Sequence, residues 1–146
     1  YGVDQTVPSS AKCIFDKGKI YAPVVTDISA FLVSYDIDKD QWTLLEEIPA
    51  PQNSRYFQLS KINRSIIVHG PVDTQYYDNV GIYRYNIETS SFDDTALSFP
   101  ERNGIMRDFP IFYSSTSYKG SLFTFGGSDG DGYANNLPTT NVFVFY

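Results

Sequence analysis

Short runs of alternating apolar and polar residues cover most of this chain. Phe31, Val33 and Tyr35 fall on one face of one run, and Leu32 and Ser34 on the other. Tyr83, Tyr85 and Ile87 alternate in the same way with Ile82, Arg84 and Asn86. Gly, Pro, Asn and Asp bound the runs, which is the strand-and-turn signature of an all-β chain. Helical periodicity is nearly absent. The segment nearest to a helix, Asp40 to Ile48, is short, carries Trp42 and Thr43, and meets Pro49.

The runs also repeat. Lys19-Ile20-Tyr21-Ala22, Ser65-Ile66-Ile67-Val68 and Ser121-Leu122-Phe123-Thr124 align without gaps. The same register aligns Asp27, Asp73 and Asp129, and it aligns Gly70 with Gly126. A second signature follows the first two copies. Tyr35-Asp36-Ile37-Asp38 leads to Trp42, and Tyr85-Asn86-Ile87-Glu88 leads to Phe92, with the two tyrosines 50 residues apart. Pro-containing turns come next, Pro49-Ala50-Pro51 with Arg55 and then Pro100-Glu101-Arg102-Asn103-Gly104.

A hydrophobic strand, a glycine pair, a variable loop, Tyr-Asp and then Trp resemble the kelch repeat, whose period is about 50 residues. Gly126-Gly127 carries the glycine pair; the second copy has Gly70-Pro71 and the first Val24-Val25. The resemblance implies a kelch-like, galactose-oxidase-like β-propeller segment of about three four-stranded antiparallel blades, an incomplete ring. Residues 1–10 then form the outer strand of a preceding blade. Residues 11–55 and 56–110 form two blades, and residues 111–146 a third that lacks its last strand. That blade ends at Tyr146, which aligns with Tyr35 and Tyr85.

Each such sheet has two apolar faces and must stack on its neighbours. Tyr35, Trp42, Tyr85 and Phe92 are therefore expected to pack between blades, and Tyr146 to repeat their pattern. Gly70, Gly126 and Gly127 suit sharp turns. Closed propellers take about four to eight blades. Three leave raw faces, to be covered by further blades of a longer chain or by a second copy.

Composition adds to this picture. Twelve Tyr and eleven Phe favour strands. The net charge of −6 offers no basic stripe for phosphates, so nucleic acid is not an expected partner. It also disfavours an anionic membrane surface, and no apolar run reaches the roughly 18 residues of a membrane span. Residues 1–15 lack a signal-peptide pattern, but the chain opens on Tyr1, so the compartment stays open with the cytoplasm preferred over secretion. The sequon Asn63-Arg64-Ser65 would accept a glycan in a secreted protein. Cys13 is the single cysteine and reads as a small buried hydrophobe.

The candidate chemistry is sparse. A copper-radical site of the galactose oxidase type needs several imidazole and phenolate ligands and a Cys cross-linked to a Tyr. The chain has one His and one Cys. Zinc spacing, a Gly-x-Ser-x-Gly elbow and a Walker loop are all missing from the sequence. His69 reads as a structural residue. No catalytic residue, metal or cofactor is expected within these residues. Asp129 and Asp131 alternate like the start of a calcium loop, without its third oxygen ligand or closing Glu. They read instead as part of a Gly/Asp hairpin loop.

Function on such scaffolds usually sits in the loops. The expected binding residues are Tyr76, Tyr77 and Asp78 in one loop and Asp129, Asp131 and Tyr133 in another. Arg55, Arg102 and Arg107 are expected to pair with acids such as Asp27, Asp73 and Asp129. The expected function is a protein–protein interaction module or scaffold. The alternatives are a carbohydrate-binding propeller, or part of a larger propeller enzyme whose catalytic residues lie outside the chain.

Overall fold

The fold comes from a computed structural model that describes residues 12–26, 28–50, 57–71, 80–93, 110–111, 114–125, 128–129 and 142–145. All regular structure among these residues is β-strand. The first sheet holds β1 (Ile14–Asp16), β2 (Lys19–Val25), β3 (Ala30–Asp36) and β4 (Gln41–Glu47), in that order. The second holds β5 (Gln58–Ile62), β6 (Ser65–Pro71), β7 (Val80–Asn86) and β8 (Ser91–Phe92), again in chain order. In the third, β10 (Ser114–Tyr118), β11 (Ser121–Phe125) and β13 (Val142–Phe145) lie side by side. A separate pair joins β9 (Pro110–Ile111) to β12 (Ser128–Asp129). Every pairing is antiparallel. The stretch nearest to a helix by sequence is β4, where the cross-strand partners of β3 decide the conformation.

The sequence repeat is also a backbone repeat. The β1–β2 turn, Lys17-Gly18, has φ of 47° and 79°, and the β10–β11 turn, Lys119-Gly120, has 48° and 82°. Two successive positive φ values match the twist of a two-residue hairpin, and glycine takes the second without a Cβ penalty. The equivalent β5–β6 turn places Asn63 at φ 52°. The β3–β4 and β7–β8 connections match as closely. Ile37 N–H donates to Gly18 C=O at 3.0 Å, and Ile87 N–H to Arg64 C=O at 3.1 Å. Asp36 Oδ1 accepts from Lys39 N–H at 3.1 Å, while Asn86 Oδ1 accepts from Glu88 N–H at 2.9 Å. Asp40 and Ser90 then take left-handed φ of 50° and 56°. An Asp or Asn side chain that caps its own turn explains that residue's place after each tyrosine.

The sheets stack face to face. Tyr21, Ala30, Leu32 and Ile48 of the first sheet and its edge meet Leu59, Ile66, Val68, Tyr83 and Tyr85 of the second in one buried cluster. A bulge in β4 serves this contact. Val33 pairs with Leu44 and Leu32 with Glu46, so Leu45 is the extra residue and packs against the core. The shift turns Glu46 toward the second sheet, where Glu46 Oε2 accepts from Phe92 N–H at 2.6 Å. Lys61 and Asp16 form an ion pair across the same two sheets. The opposite face of the second sheet meets the third through Ile67, Ile82 and Leu122, with Ile62 beside them.

One expectation changes here. Tyr85 and Phe92 do pack against the first sheet. Trp42 stands in the same place on the first sheet, yet it is 62% exposed. No described element covers that side, so among the described residues Trp42 is not a between-sheet residue.

Candidate recognition face

Three connections leave the stack at equivalent positions. Val25 pairs with Ala30 around residues 26–29, Pro71 with Val80 around residues 72–79, and Phe125 with Val142 around residues 126–141. These connections lengthen along the stack, from four residues to eight to sixteen by count. The opposite ends of the sheets adjoin one another. Asn63 Nδ2 lies beside Gly120 in the equivalent turn of the next sheet. Lys61 and Asp16 meet next to the turns at 63–64 and 17–18. Equivalent ends are therefore neighbours, and the strand ends that bound the three connections lie on one side.

The shortest connection is tightly tied. Thr26 Oγ1 accepts from Ser29 N–H at 3.0 Å, and its hydroxyl donates to Ser29 C=O at 2.8 Å. Ser29 Oγ donates to Glu47 Oε1 at 2.6 Å, which anchors the turn to β4. Ile28 sits at the tip of this turn, 71% exposed.

Of the residues singled out by sequence, Tyr76, Tyr77, Asp78, Asp131 and Tyr133 lie outside the described residues, as do Gly126, Gly127 and Tyr146. The bounding strands place the first five within the two longer connections. Asp129 is not in a loop: it belongs to β12, opposite Pro110. Backbone pairing with β9 takes this position out of the hairpin. Gly70 is buried and pairs with Gly81 within the β6–β7 ladder, one pair before its end, rather than in a turn. Asn63 is exposed in its turn. Cys13 is exposed, not buried, because it precedes β1 at the sheet edge. Arg55, Arg102, Arg107, Asp27 and Asp73 lie outside the described residues. The ion pairs seen join other residues, including Arg64 with Glu88 and Arg84 with Asp93.

Between the second and third sheets runs a buried polar seam. His69 Nε2 lies 3.1 Å from Ser60 Oγ, which is 3.1 Å from Ser115 Oγ. Ser115 Oγ donates to Gln58 Oε1 at 3.2 Å. The Lys12 ammonium donates to the Ser115 carbonyl. Burial, and then the charge of Lys12, push the His69 imidazole down to about 3. Burial lowers Lys12 as well. A serine within hydrogen-bond reach of an imidazole is the geometry of a nucleophile and its base. Here both side chains are buried, and the hydrogen bonds satisfy polar groups between two sheets. Thr124 Oγ1 is buried in the same interface without a hydrogen bond. Sequence reasoning missed Ser60 and Ser115. A polar residue alternating with apolar ones reads as solvent-facing, and only the stacked third sheet turns that face into an interior.

No cluster of three or more metal-ligating side chains occurs among the described residues. None of their elements is a helix long and apolar enough to cross a membrane.

No family model matches this chain, and no curated protein matches it. Among solved structures, YjhT is similar over 82% of the chain, at 16% identity and a TM-score of 0.56. That likeness concerns the fold. The chain spans 33% of the length of YjhT.

Proposed function

We propose that this chain is a kelch-like β-propeller segment that works as a protein-interaction module. The observation that carries this reading is that the strand ends bounding residues 26–29, 72–79 and 126–141 lie at one end of consecutive sheets. A rigid stack holds the strand ends, so the connections vary without disturbing the core. The backbone repeat from Tyr35 to Trp42 and from Tyr85 to Phe92 supports the kelch reading, and so does a fold shared with a longer chain. The exposed Ile28, with Tyr76, Tyr77 and Tyr133, offers apolar and amphipathic contact groups. Tyrosine gives large contact area at low ordering cost.

The test is a quantitative comparison of proteins cross-linked to the native chain and to two variants, Ile28→Asp and the double change Tyr76→Ala with Tyr77→Ala. Loss of the same partner in both variants, with unchanged folding, supports the recognition face. Retention of that partner by both overturns it. A carbohydrate-binding propeller would instead show saturable signal on a glycan array, sensitive to the same substitutions.

A further inference from the structure

The stack has a direction. The Ile66, Tyr85 and Phe92 side of the second sheet lies on the Leu32 and Ile48 side of the first. The Leu122 side of the third lies on the Ile67 and Ile82 side of the second. Ile66 and Leu122 are equivalent in the repeat, so each sheet presents the same back to the front of the sheet before it. The two outermost faces are consequently of opposite kinds. Among the described sheets, one is a back without a front, and the other a front without a back.

Both are apolar. On the first sheet the back carries Phe15, Val24, Trp42 and Leu44, joined by Ile20 and Val33 from the same register. On the third sheet the front carries Tyr118, Phe123 and Phe125, with the last two rings stacked at 6.5 Å. Of the eight large hydrophobic side chains exposed among the described residues, six lie on these two faces: Phe15, Val24, Trp42, Leu44, Tyr118 and Phe125. Scattered single hydrophobics are ordinary, but contiguous apolar faces mark contact surfaces.

We infer that the Trp42 face of the first sheet is covered by the Phe125 face of the third sheet in a second copy of this chain. The occupant follows from the stacking rule, since a back accepts a front and each copy carries one of each. One copy supplies both halves of the contact, so two copies related by a two-fold axis make it twice. Three sheets from each close a ring of six, within the range of about four to eight for closed propellers. The inference rests on the propeller reading of the stack, but not on the recognition face. Substitutions at Ile28 and Tyr76 leave it untouched, and the two proposals fail separately.

Sedimentation of the native chain and of Trp42→Glu and Phe125→Glu tests it. The native chain is expected to sediment at twice its chain mass. Each variant is expected to be a monomer with an unchanged far-ultraviolet circular dichroism spectrum. A one-to-one mixture of the two variants regains a dimer, because one of its two contacts then joins an unaltered Trp42 face to an unaltered Phe125 face. A native chain that stays monomeric at high concentration overturns the inference; its faces would then meet sheets of other origin. A dimer lost only in Trp42→Glu also overturns it, in favour of two Trp42 faces meeting each other. Should one variant fail to fold, the milder changes Leu44→Ser and Tyr118→Ser repeat the mixing experiment.

Discussion

Tyr35 and Trp42 lie directly opposite each other across β3 and β4, with ring centroids 5.0 Å apart. Fifty residues on, Tyr85 and Phe92 repeat the pairing across β7 and β8 at 5.2 Å. Each tyrosine hydroxyl also reaches the left-handed residue of its turn, Asp40 in one copy and Ser90 in the other. One local unit is thus built twice, yet its two copies meet different surroundings. Tyr85 is 2% exposed against the first sheet, whereas Trp42 faces outward.

That difference sets the cost of truncation. Tyr85→Ala empties a packed site and is expected to destabilise the chain by about 3–5 kcal/mol. Trp42→Ala in dilute, monomeric protein removes mainly a cross-strand contact, for which about 1 kcal/mol is expected. Urea unfolding of both variants checks this. Equal losses would mean that Trp42 is packed as deeply as Tyr85.

His69 makes stability depend on pH. Its imidazole titrates near 3 in the fold, against 6.5 when unperturbed. The unfolded chain therefore binds one more proton than the fold between those values, and the stabilisation present above 6.5 is lost as pH falls toward 3. The slope approaches about 1.4 kcal/mol per pH unit. Urea midpoints from pH 4 to 7 should rise with pH, and His69→Gln should flatten the rise. An unchanged slope in the variant would assign the dependence to other groups.

The seam separates a satisfied hydroxyl from an unsatisfied one. Ser60→Ala removes a partner from both His69 and Ser115, and a loss of about 1–3 kcal/mol is expected. Thr124→Val removes a buried hydroxyl that makes no hydrogen bond and keeps the shape. Its expected effect is neutral or a gain of about 1 kcal/mol. Thermal unfolding of the two variants should move in opposite directions or, for Thr124→Val, not at all.

Gly120 tests the hairpin geometry. At φ 82°, an added Cβ meets only Asn63 Nδ2 at 3.8 Å, so space is not the obstacle. Gly120→Ala is expected to cost about 1–2 kcal/mol from backbone strain alone. Gly120→Asn, which tolerates this region better, should recover part of it. An Ala variant as stable as the native chain would rule out the left-handed turn.

Much of the fold was legible because its signals are local. Alternation at Phe31–Tyr35 and Ile82–Ile87 marks strands, and the 50-residue repeat of Tyr, Asp or Asn, and an aromatic marks a recurring hairpin. The second surface of each strand was harder. Gln58, Ser60 and His69 are polar residues that alternation assigns to water, and the packing of another sheet decides otherwise. Cys13 was misread for the converse reason: its residue type favours burial, but its place before β1 leaves it exposed. Asp129 lies in β12 because β9, eighteen residues earlier in the chain, supplies a pairing partner that no local pattern reveals. The proposed recognition face rests on loop composition and on the ends of the bounding strands, with Ile28 added by its exposed position in a tied turn.

Successive sheets pack back to front, the Leu32 side of one against the Ile66 side of the next. Methyl-to-methyl nuclear Overhauser spectroscopy on selectively labelled chain reads this packing out. Cross-peaks are expected from Leu32 to the methyls of Ile66 or Val68, and from Leu122 to those of Ile67 or Ile82. A folded chain that shows neither set, or that links Leu122 to the Leu32 side, would contradict it.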